Sequence, residues 1–215
     1  IPFKTDVIPL IDHVDPLAQL IGSVNTLRND GGIIHGYNTD GPGALKSLHE
    51  KGITVGGSRC LILGSGGAAR AIGFTLASEG ASVYISGIDT PVVDSLVHDI
   101  SAIGRAESFS MDRHTPSDIR DMDILINCTP VGMEPAVSST PIPAECLHDG
   151  LVVFDIVYAP LETRLLREAA GRGCVTVNGL SMLLHQGVKQ FEIWTGLEAP
   201  HDVMKRVLER EVHWE

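Results

Sequence analysis

The stretch of sequence that decides the fold is Cys60-Leu61-Ile62-Leu63-Gly64-Ser65-Gly66-Gly67-Ala68-Ala69-Arg70. It predicts a short buried strand that turns through closely spaced glycines into a helix. The free backbone N–H groups and the positive dipole end of such a helix can hold a pyrophosphate. The pattern Gly64-x-Gly66-x-x-Ala69 therefore favours a dinucleotide site, although glycines after a strand often serve only the turn. The residues predicted to bind the cofactor here are Gly64, Ser65, Gly66, Gly67 and Ala68.

Apolar runs alternate with helical periodicity along the middle of the chain. The predicted strands span residues 60–63, 81–85, 123–127 and 151–156. Helices are predicted from about 67 to 78 and from about 91 to 103. Because the runs are continuously apolar, the strands are expected to be buried on both faces, as in a parallel sheet with crossover helices. The fold class is thus α/β, a Rossmann-like doubly wound parallel sheet with a second, smaller α/β lobe.

The two chain ends differ in character from this core. Residues 180–215 predict a helix with an apolar stripe made by Leu180, Leu184, Val188 and Phe191. We expect residues 1–42 and 180–215 to pack together as a substrate-binding lobe. Residues 43–179 would form the dinucleotide-binding domain on the other side of a cleft.

Composition narrows the class of partner. The chain has 215 residues, of which 43% are hydrophobic, and its formal net charge is −11. The acidic balance, with no cluster of Lys and Arg, argues against nucleic acid or an anionic membrane and favours a small molecule. No apolar run approaches the roughly 18 residues of a membrane span, and a cytoplasmic protein is expected.

The cysteines do not indicate a metal or redox site. Cys60, Cys128, Cys146 and Cys174 are far apart and show no C-x-x-C spacing. We expect reduced, buried thiols, and no metal site is predicted.

Four short polar clusters could carry chemistry. They are Lys4, Asn25-Thr26, Asn38-Thr39-Asp40 and Asn127-Cys128-Thr129-Pro130. Such runs usually form turns and helix caps, and Thr39-Asp40 before Gly41-Pro42-Gly43 would be an ordinary helix start. The residue types alone leave both interpretations open.

Seven ordered stretches contain these clusters: Ile1-Pro2-Phe3-Lys4, Gly22-Ser23-Val24-Asn25-Thr26-Leu27, Gly36-Tyr37-Asn38-Thr39-Asp40-Gly41, Gly64 to Arg70, Asn127-Cys128-Thr129-Pro130-Val131-Gly132-Met133, Asp155-Ile156-Val157-Tyr158-Ala159-Pro160, and Gly179-Leu180-Ser181-Met182-Leu183-Leu184-His185-Gln186. In them the chain resembles the shikimate dehydrogenase family over essentially its whole length. The resemblance implies an NAD(P)-dependent oxidoreductase that reversibly reduces 3-dehydroshikimate to shikimate in aromatic amino-acid (chorismate) biosynthesis.

The resemblance also implies residue roles. Lys4 and Asp40 would be the catalytic pair, since an ammonium held beside a carboxylate can stabilise the charge on the ketone oxygen and supply its proton. The substrate-binding residues would be Asn25, Thr39, Tyr158 and Gln186. The nicotinamide would contact Thr129, Met182 and the Gly179 backbone. A core role for Met182 stays open, although its spacing of four from Gln186 lets both face one ligand.

The sequence departs from the family pattern after the second strand of the predicted domain. NADP-dependent members usually carry Asn-Arg-Thr there, whereas this chain reads Ser86-Gly87-Ile88-Asp89-Thr90 and has no Arg or Lys between Arg70 and Arg105. Asp89 follows Gly66 by 23 positions, close to where NAD enzymes keep an acidic residue for the ribose. NAD is therefore expected to be preferred over NADP, with Arg70 left as a residue that could still reach a 2′-phosphate.

Several alternatives accompany the dehydrogenase hypothesis. Quinate dehydrogenase, using NAD, is the runner-up, and a non-catalytic sensor module of the shikimate pathway is the alternative from another class. The methylene-tetrahydrofolate dehydrogenases share the two-lobed plan but should lack the Asn-Thr-Asp and Gly-x-x-Met-Leu-x-x-Gln runs. The family has a further N-terminal stretch before the match at Ile1, so the substrate lobe is expected to be incomplete there. A monomer or homodimer is expected.

Overall fold

A small sheet and two helices come first in the chain. The structure, a computed structural model, describes residues 3–110 and 115–212. The first elements are β1 (His13–Val14), α1 (Pro16–Ile21), β2 (Thr26–Asp30), β3 (Ile33–Tyr37) and α2 (Asp40–Glu50). The strand order is β1-β3-β2, in which β3 pairs parallel to β1 and antiparallel to β2. The start of the stretch at Ile1-Pro2 lies outside the described residues.

Six parallel strands form the sheet predicted around the glycine turn. They are β4 (Arg59–Leu63), β5 (Ser82–Ser86), β6 (Arg105–Ser108), β7 (Ile124–Asn127), β8 (Val152–Asp155) and β9 (Val175–Val177). Their order is β6-β5-β4-β7-β8-β9, and all neighbours pair in parallel. The chain runs outward from β4 to β6 and then returns to β7. The carboxyl ends of β4 and β7 therefore border the switch point at which such sheets bind ligands.

The strands predicted from apolar runs are confirmed to within one residue at each end. The edge strands β6 and β9 were not predicted. β6 reads Arg-Ala-Glu-Ser and is mostly exposed, and β9 has only three residues. An edge strand has one hydrogen-bonded neighbour and an open side, so its sequence need not be continuously apolar.

Helices cover both faces of this sheet. They are α3 (Gly67–Ser78), α4 (Thr90–Ser101), α5 (Pro116–Ile119), α6 (Arg164–Gly171) and α7 (Gly179–Thr195), and α8 (His201–Val212) packs on α7. Among the described residues, no helix is both long and apolar enough to cross a bilayer. The two helices predicted in the middle of the chain are α3 and α4, and their ends agree within two residues.

The sheet separates two hydrophobic cores. Alternate residues of β4 point to opposite faces, so Ile62 belongs to one core and Leu61 to the other. The first core also contains Ile21 of α1, Ala44 of α2 and Met182 of α7. It therefore extends beyond the parallel sheet into elements from both ends of the chain.

The two ends of the chain are in contact. The indole Nε1 of Trp194 on α7 donates to the carbonyl of Leu27 on β2 at 2.9 Å. Arg28 Nη1 donates to the carbonyl of Ile193 at 3.3 Å. These bonds tie the long C-terminal helix to the small N-terminal sheet.

Two glycines let α2 pack unusually close to its neighbours. A Cβ on Gly41 would lie 2.7 Å from the carbonyl oxygen of Ala71 on α3, and closer still to Thr75 Oγ1. A Cβ on Gly43 would lie 2.9 Å from Gln186 Cγ on α7. Side chains at these positions would push the three helices apart, so the glycines fix the place of the first turn of α2.

Candidate active site

The glycine turn after β4 has open space above it. Gly64 has φ +106°, and a Cβ there would lie 3.1 Å from the carbonyl oxygen of Cys128 at the end of β7. By contrast, a Cβ on Gly66 or Gly67 would meet nothing within 4 Å. Gly66 is the N-cap of α3, and no side chain caps that end of the helix. The first-turn N–H groups and the positive dipole end are thus available to a phosphate, which fits a dinucleotide.

The segment after β5 lies against this turn. A Cβ on Gly87 would be 3.2 Å from Ser65 Oγ, which places the two turns side by side. Asp89 follows as the N-cap of α4, where its Oδ1 accepts from the backbone N–H of Val92 at 3.3 Å. Asp89 is exposed. A carboxylate therefore stands where the ribose of a bound dinucleotide is expected to lie.

Arg70 points away from that ribose position. Its Nε donates to the carbonyl of Ile21 at the end of α1, and its Nη1 donates to Asp99 Oδ2 at 2.8 Å. Its guanidinium also lies 5.0 Å from the centre of the Phe74 ring. Asp99 is ten residues beyond Asp89 on the same helix, about 15 Å along its axis. The arginine that opens the glycine turn is thus engaged in connecting α1, α3 and α4.

Lys4 and Asp40 form an ion pair at the start of α2. Lys4 Nζ donates to Asp40 Oδ2 at 2.6 Å, and the two side chains are 31% and 7% exposed. The other carboxylate oxygen, Oδ1, accepts from Asn25 Nδ2 at 2.9 Å and from Gln186 Nε2 at 2.5 Å. Asp40 is therefore almost buried, with both of its oxygens held by donors from different parts of the chain.

Asn25 and Thr39 extend this polar network. Asn25 Oδ1 accepts from the Thr39 N–H at 3.0 Å and from Thr26 Oγ1 at 2.8 Å. Thr39 Oγ1 accepts from Asn25 Nδ2 at 3.0 Å and from Gln190 Nε2 at 3.4 Å. Thr39 occupies the N-cap position of α2 without making a side-chain capping bond. The helix start predicted at Thr39-Asp40 is therefore confirmed, but the Thr39 hydroxyl contacts Asn25 and Gln190 instead of capping the helix.

A second polar network fixes the ends of β7 and β8. Asn127 Nδ2 donates to Asp155 Oδ1 at 3.0 Å, and Asn127 Oδ1 accepts from Thr129 Oγ1 at 2.6 Å. Asp155 also accepts from Thr163 Oγ1 at 2.7 Å and from the Val157 N–H at 3.1 Å. Burial raises the pKa of Asp155, against the opposing effect of these hydrogen bonds. The network holds Thr129 beside the glycine turn.

The chain is similar to known proteins over nearly its whole length. Residues 179–209 match the family model described as the Shikimate 5'-dehydrogenase C-terminal domain. The chain is 45% identical over 214 residues to the shikimate dehydrogenase (NADP+) of Methanosarcina mazei, covering 97% of this chain and 76% of that protein. The chain belongs to the shikimate dehydrogenase family.

Solved structures of family members agree with this assignment. One similar structure is the shikimate 5-dehydrogenase from Listeria monocytogenes in complex with shikimate and NAD, with a TM-score of 0.91, 39% identity and coverage of 97% of this chain and 75% of that one. Another is the quinate dehydrogenase from Corynebacterium glutamicum in complex with NAD, with a TM-score of 0.90, 32% identity and coverage of 97% and 75%. The Rossmann-like α/β fold class and the family resemblance predicted from sequence are confirmed.

For this member of the shikimate dehydrogenase family, the structure brings most of the predicted substrate and catalytic residues together. Lys4, Asn25, Thr39, Asp40 and Gln186 form one hydrogen-bonded network. Sequence reasoning gave no role to Gln190, which also joins this network. Its spacing of four from Gln186 on α7 was the available signal.

The remaining predicted site residues lie outside that network. Tyr158 is 47% exposed and follows the end of β8. Gly179 begins α7 so close to β8 that a Cβ there would lie 2.7 Å from the Val157 carbonyl oxygen. Met182 is 5% exposed and belongs to the first core, which agrees with the core role left open for it.

The cysteines are free, as expected. Three are buried and Cys128 is partly buried. Burial raises the pKa of Cys60 to about 11, opposed by its contact with the Ser58 hydroxyl. Burial likewise raises the pKa of Cys128, with further increases from the charges of Asp155 and Asp40. Raised thiol pKa values indicate inert structural cysteines.

Proposed function

We propose that this chain catalyses the reversible NAD(P)-linked reduction of 3-dehydroshikimate to shikimate, with Lys4 and Asp40 as its catalytic pair. The observation that carries the proposal is the 2.6 Å contact between Lys4 Nζ and Asp40 Oδ2. The names of the curated relatives support a dehydrogenase rather than a sensor, since they are shikimate dehydrogenases.

The contacts of Asp40 define its task. Its Oδ1 is held by two amide groups, and its Oδ2 faces the ammonium of Lys4. An ammonium has three donors, so Lys4 can bind Asp40 with one and direct another toward a substrate oxygen. Asp40 thus fixes the position of the Lys4 ammonium.

Lys4 supplies the proton of the reaction. Reduction of the ketone adds a hydride to carbon and a proton to oxygen, and the bound nicotinamide supplies the hydride. Lys4 Nζ stabilises the negative charge that develops on the oxygen and transfers a proton to it, which makes the hydroxyl of shikimate. In the reverse direction the same nitrogen accepts the proton.

Asn25, Thr39 and Gln186 bind and orient the substrate in this proposal. Each already has a hydrogen bond to another member of the network, so the side chains are held in place before the ligand arrives. Pre-positioned polar groups lower the ordering cost of binding. Tyr158, half-exposed beside β8, is proposed to close over the same ligand.

The cofactor-binding part of the proposal rests on the glycine turn. The backbone of Gly64, Ser65, Gly66, Gly67 and Ala68 would hold the pyrophosphate at the start of α3. Thr129, Met182 and the Gly179 backbone would lie near the nicotinamide, at the end of the turn next to β7 and α7.

We propose further that NAD is preferred over NADP. Asp89 is exposed next to the glycine turn, where its charge would accept hydrogen bonds from a ribose and repel a 2′-phosphate. The Arg70 guanidinium already donates hydrogen bonds to the Ile21 carbonyl and to the Asp99 carboxylate. Relatives include both a protein named for NADP+ and one solved with NAD.

Quinate is the second candidate substrate. It is supported by the quinate dehydrogenase among the similar structures, which was solved with NAD, together with the acidic residue at position 89 of this chain. Initial rates with shikimate and with quinate, each measured with NAD and with NADP, separate the substrates and the cofactors. Rates with NADP equal to or above those with NAD would contradict the NAD preference.

The catalytic pair is tested by Lys4→Ala and Asp40→Asn. Each is expected to lower kcat by about 10²- to 10⁴-fold, the usual contribution of a positioned acid or base, while cofactor affinity stays nearly unchanged. Lys46→Ala, which removes an exposed lysine of α2, is the matched control and should keep full activity. Unchanged turnover in both test variants would remove the proposed pair, and shikimate binding without any turnover in the wild type would favour the sensor.

A further inference from the structure

Three potential metal ligands meet at the end of α2 that lies farthest from Asp40. Glu50 is the last residue of α2, His185 lies on α7, and His201 is the first residue of α8. One carboxylate oxygen and one nitrogen of each imidazole all lie within 4.8 Å of one another. The ligand atoms therefore come from three separate helices that pack together.

Their distances suit a small tetrahedral ion. His185 Nε2 lies 2.9 Å from Glu50 Oε2, and His201 Nε2 lies 3.7 Å from Glu50 Oε1. Ligand atoms about 2.0–2.2 Å from a tetrahedral zinc ion are separated from each other by roughly 3.2–3.6 Å. The two observed separations, which end on different oxygens of Glu50, lie on either side of that range, and all three ligand atoms lie within 4.8 Å of one another. Rotation of these side chains would draw the ligand atoms together around an ion.

The two imidazole nitrogens lack good hydrogen-bond partners. The side chain of His185 is only 4% exposed, and Nε2 of neither His185 nor His201 has a partner in hydrogen-bonding geometry. The contact between His185 and Glu50 is therefore short but poorly aligned. A buried nitrogen left in this way costs free energy that a bound ion would recover.

The donor set selects the class of ion. Two imidazoles and one carboxylate favour zinc, copper or nickel, whereas magnesium and calcium require mainly oxygen ligands. The side chains of His201 and Glu50 are 36% and 41% exposed, so solvent can supply a water in the fourth position. We propose that Glu50, His185 and His201 bind a divalent transition-metal ion, best fitted by zinc, that fastens α8 to α2 and α7.

This ion would act on stability rather than on the reaction. α2 has 11 residues, so Glu50 is about 15 Å along the helix from Asp40, well beyond contact with the substrate. Lys205, one turn after His201 on α8, is the cation that faces Glu50 and competes with a metal for it. Its replacement by a neutral residue is expected to strengthen metal binding.

Calorimetric titration of the intact, chelator-treated protein with zinc chloride tests the proposal. One ion per chain is expected, and magnesium chloride should give no binding. His201→Ala and Glu50→Gln should each weaken zinc binding by at least about tenfold, because only two protein ligands remain. His13→Ala, which removes an exposed histidine elsewhere, is the matched control and should bind as the wild type does.

Thermal unfolding and cobalt spectroscopy give two independent measurements. At a zinc concentration 100 times the dissociation constant, the midpoint of unfolding should rise by roughly 5–10 °C in the wild type and not in His201→Ala. Cobalt(II) should give the strong visible absorption of a four-coordinate ion, and zinc should displace it. Zinc binding that is absent in the wild type, or unchanged in both ligand variants with their folds intact by circular dichroism, overturns the proposal.

Discussion

Replacing Gly41 with alanine should damage catalysis through packing alone. The added Cβ would lie 2.7 Å from the Ala71 carbonyl oxygen and closer to Thr75 Oγ1. Thr75 is buried and its hydroxyl donates to that same carbonyl at 2.9 Å, so neither neighbour can move cheaply. To restore ordinary van der Waals contact with the Ala71 carbonyl oxygen alone, α2 must move from α3 by about 0.7 Å, and the closer Thr75 hydroxyl requires a larger shift. Asp40, the preceding residue, moves with it.

The size of the effect follows from this displacement. Overpacking costs about 1–3 kcal/mol, and the better helix propensity of alanine returns about 1 kcal/mol. The free energy of unfolding should therefore fall by about 0–2 kcal/mol. Asp40 is held by hydrogen bonds of 2.5–2.9 Å, and a misplacement approaching 1 Å can cost about 10²-fold in rate. We expect kcat to fall by about 10- to 100-fold, with cofactor affinity unchanged.

Steady-state oxidation of shikimate and thermal unfolding, measured on the same preparations, provide the assay. Gly171→Ala is the control, because Gly171 also lies in a helix but a Cβ there meets nothing within 4 Å. It should keep full activity and lose no stability. Thr75→Ala in the Gly41→Ala background removes the closest overlap and should restore part of the activity. Wild-type kcat and stability in Gly41→Ala would refute this reasoning.

Two further predictions concern buried titratable groups. Burial raises the pKa of Cys60 to about 11 and also raises that of Cys128, so native thiols should react slowly with a disulfide reagent at pH 8 and about tenfold faster per pH unit up to pH 11. The fold should also lose stability above about pH 8.5, because the thiols of the unfolded chain ionise first. Rapid reaction of all four thiols in the native protein at pH 8 would contradict this prediction. Asp155→Asn should cost about 1–3 kcal/mol, because Thr163, Asn127 and Val157 then share one acceptor oxygen. Because burial raises the pKa of Asp155, the wild-type protein loses stability as the pH rises through that pKa. In denaturant unfolding, the free energy of unfolding of the wild type should therefore increase relative to that of Asp155→Asn as the pH falls from 7 to 4. The opposite slope would show that burial does not dominate.

The central layer of the fold could be predicted from sequence because its signal is local. Strands β4, β5, β7 and β8 are continuously apolar, and the glycine turn marks one strand-to-helix junction. β6 escaped detection because its edge position tolerates Arg105 and Glu107, which bind each other on the surface.

The glycine turn could be predicted from its own pattern, whereas the catalytic and substrate-binding residues were predictable only through the family resemblance. Asp40 and Gln186 are separated by 146 positions, and no periodicity relates them. The position of Arg70 in the sequence was misleading. Its place in the glycine turn suggested a phosphate contact, whereas in the structure its guanidinium donates to the Ile21 carbonyl and to Asp99. The Glu50, His185 and His201 cluster likewise depends on how three helices meet, which their spacing in the chain does not reveal.

The first hydrophobic core makes the central sheet depend on both ends of the chain for its packing. The first core contains Ile62 and Phe154 of the central sheet together with Ile21, Ala44 and Met182. Helices from both ends of the chain therefore complete the apolar packing on that face of the sheet. A fragment limited to residues 43–179 would keep Ala44 but lose Ile21 and Met182, which would expose apolar surface of the first core and favour aggregation. Recombinant expression of residues 43–179 alone should therefore yield aggregates, and limited proteolysis should cleave surface loops without releasing a stable fragment.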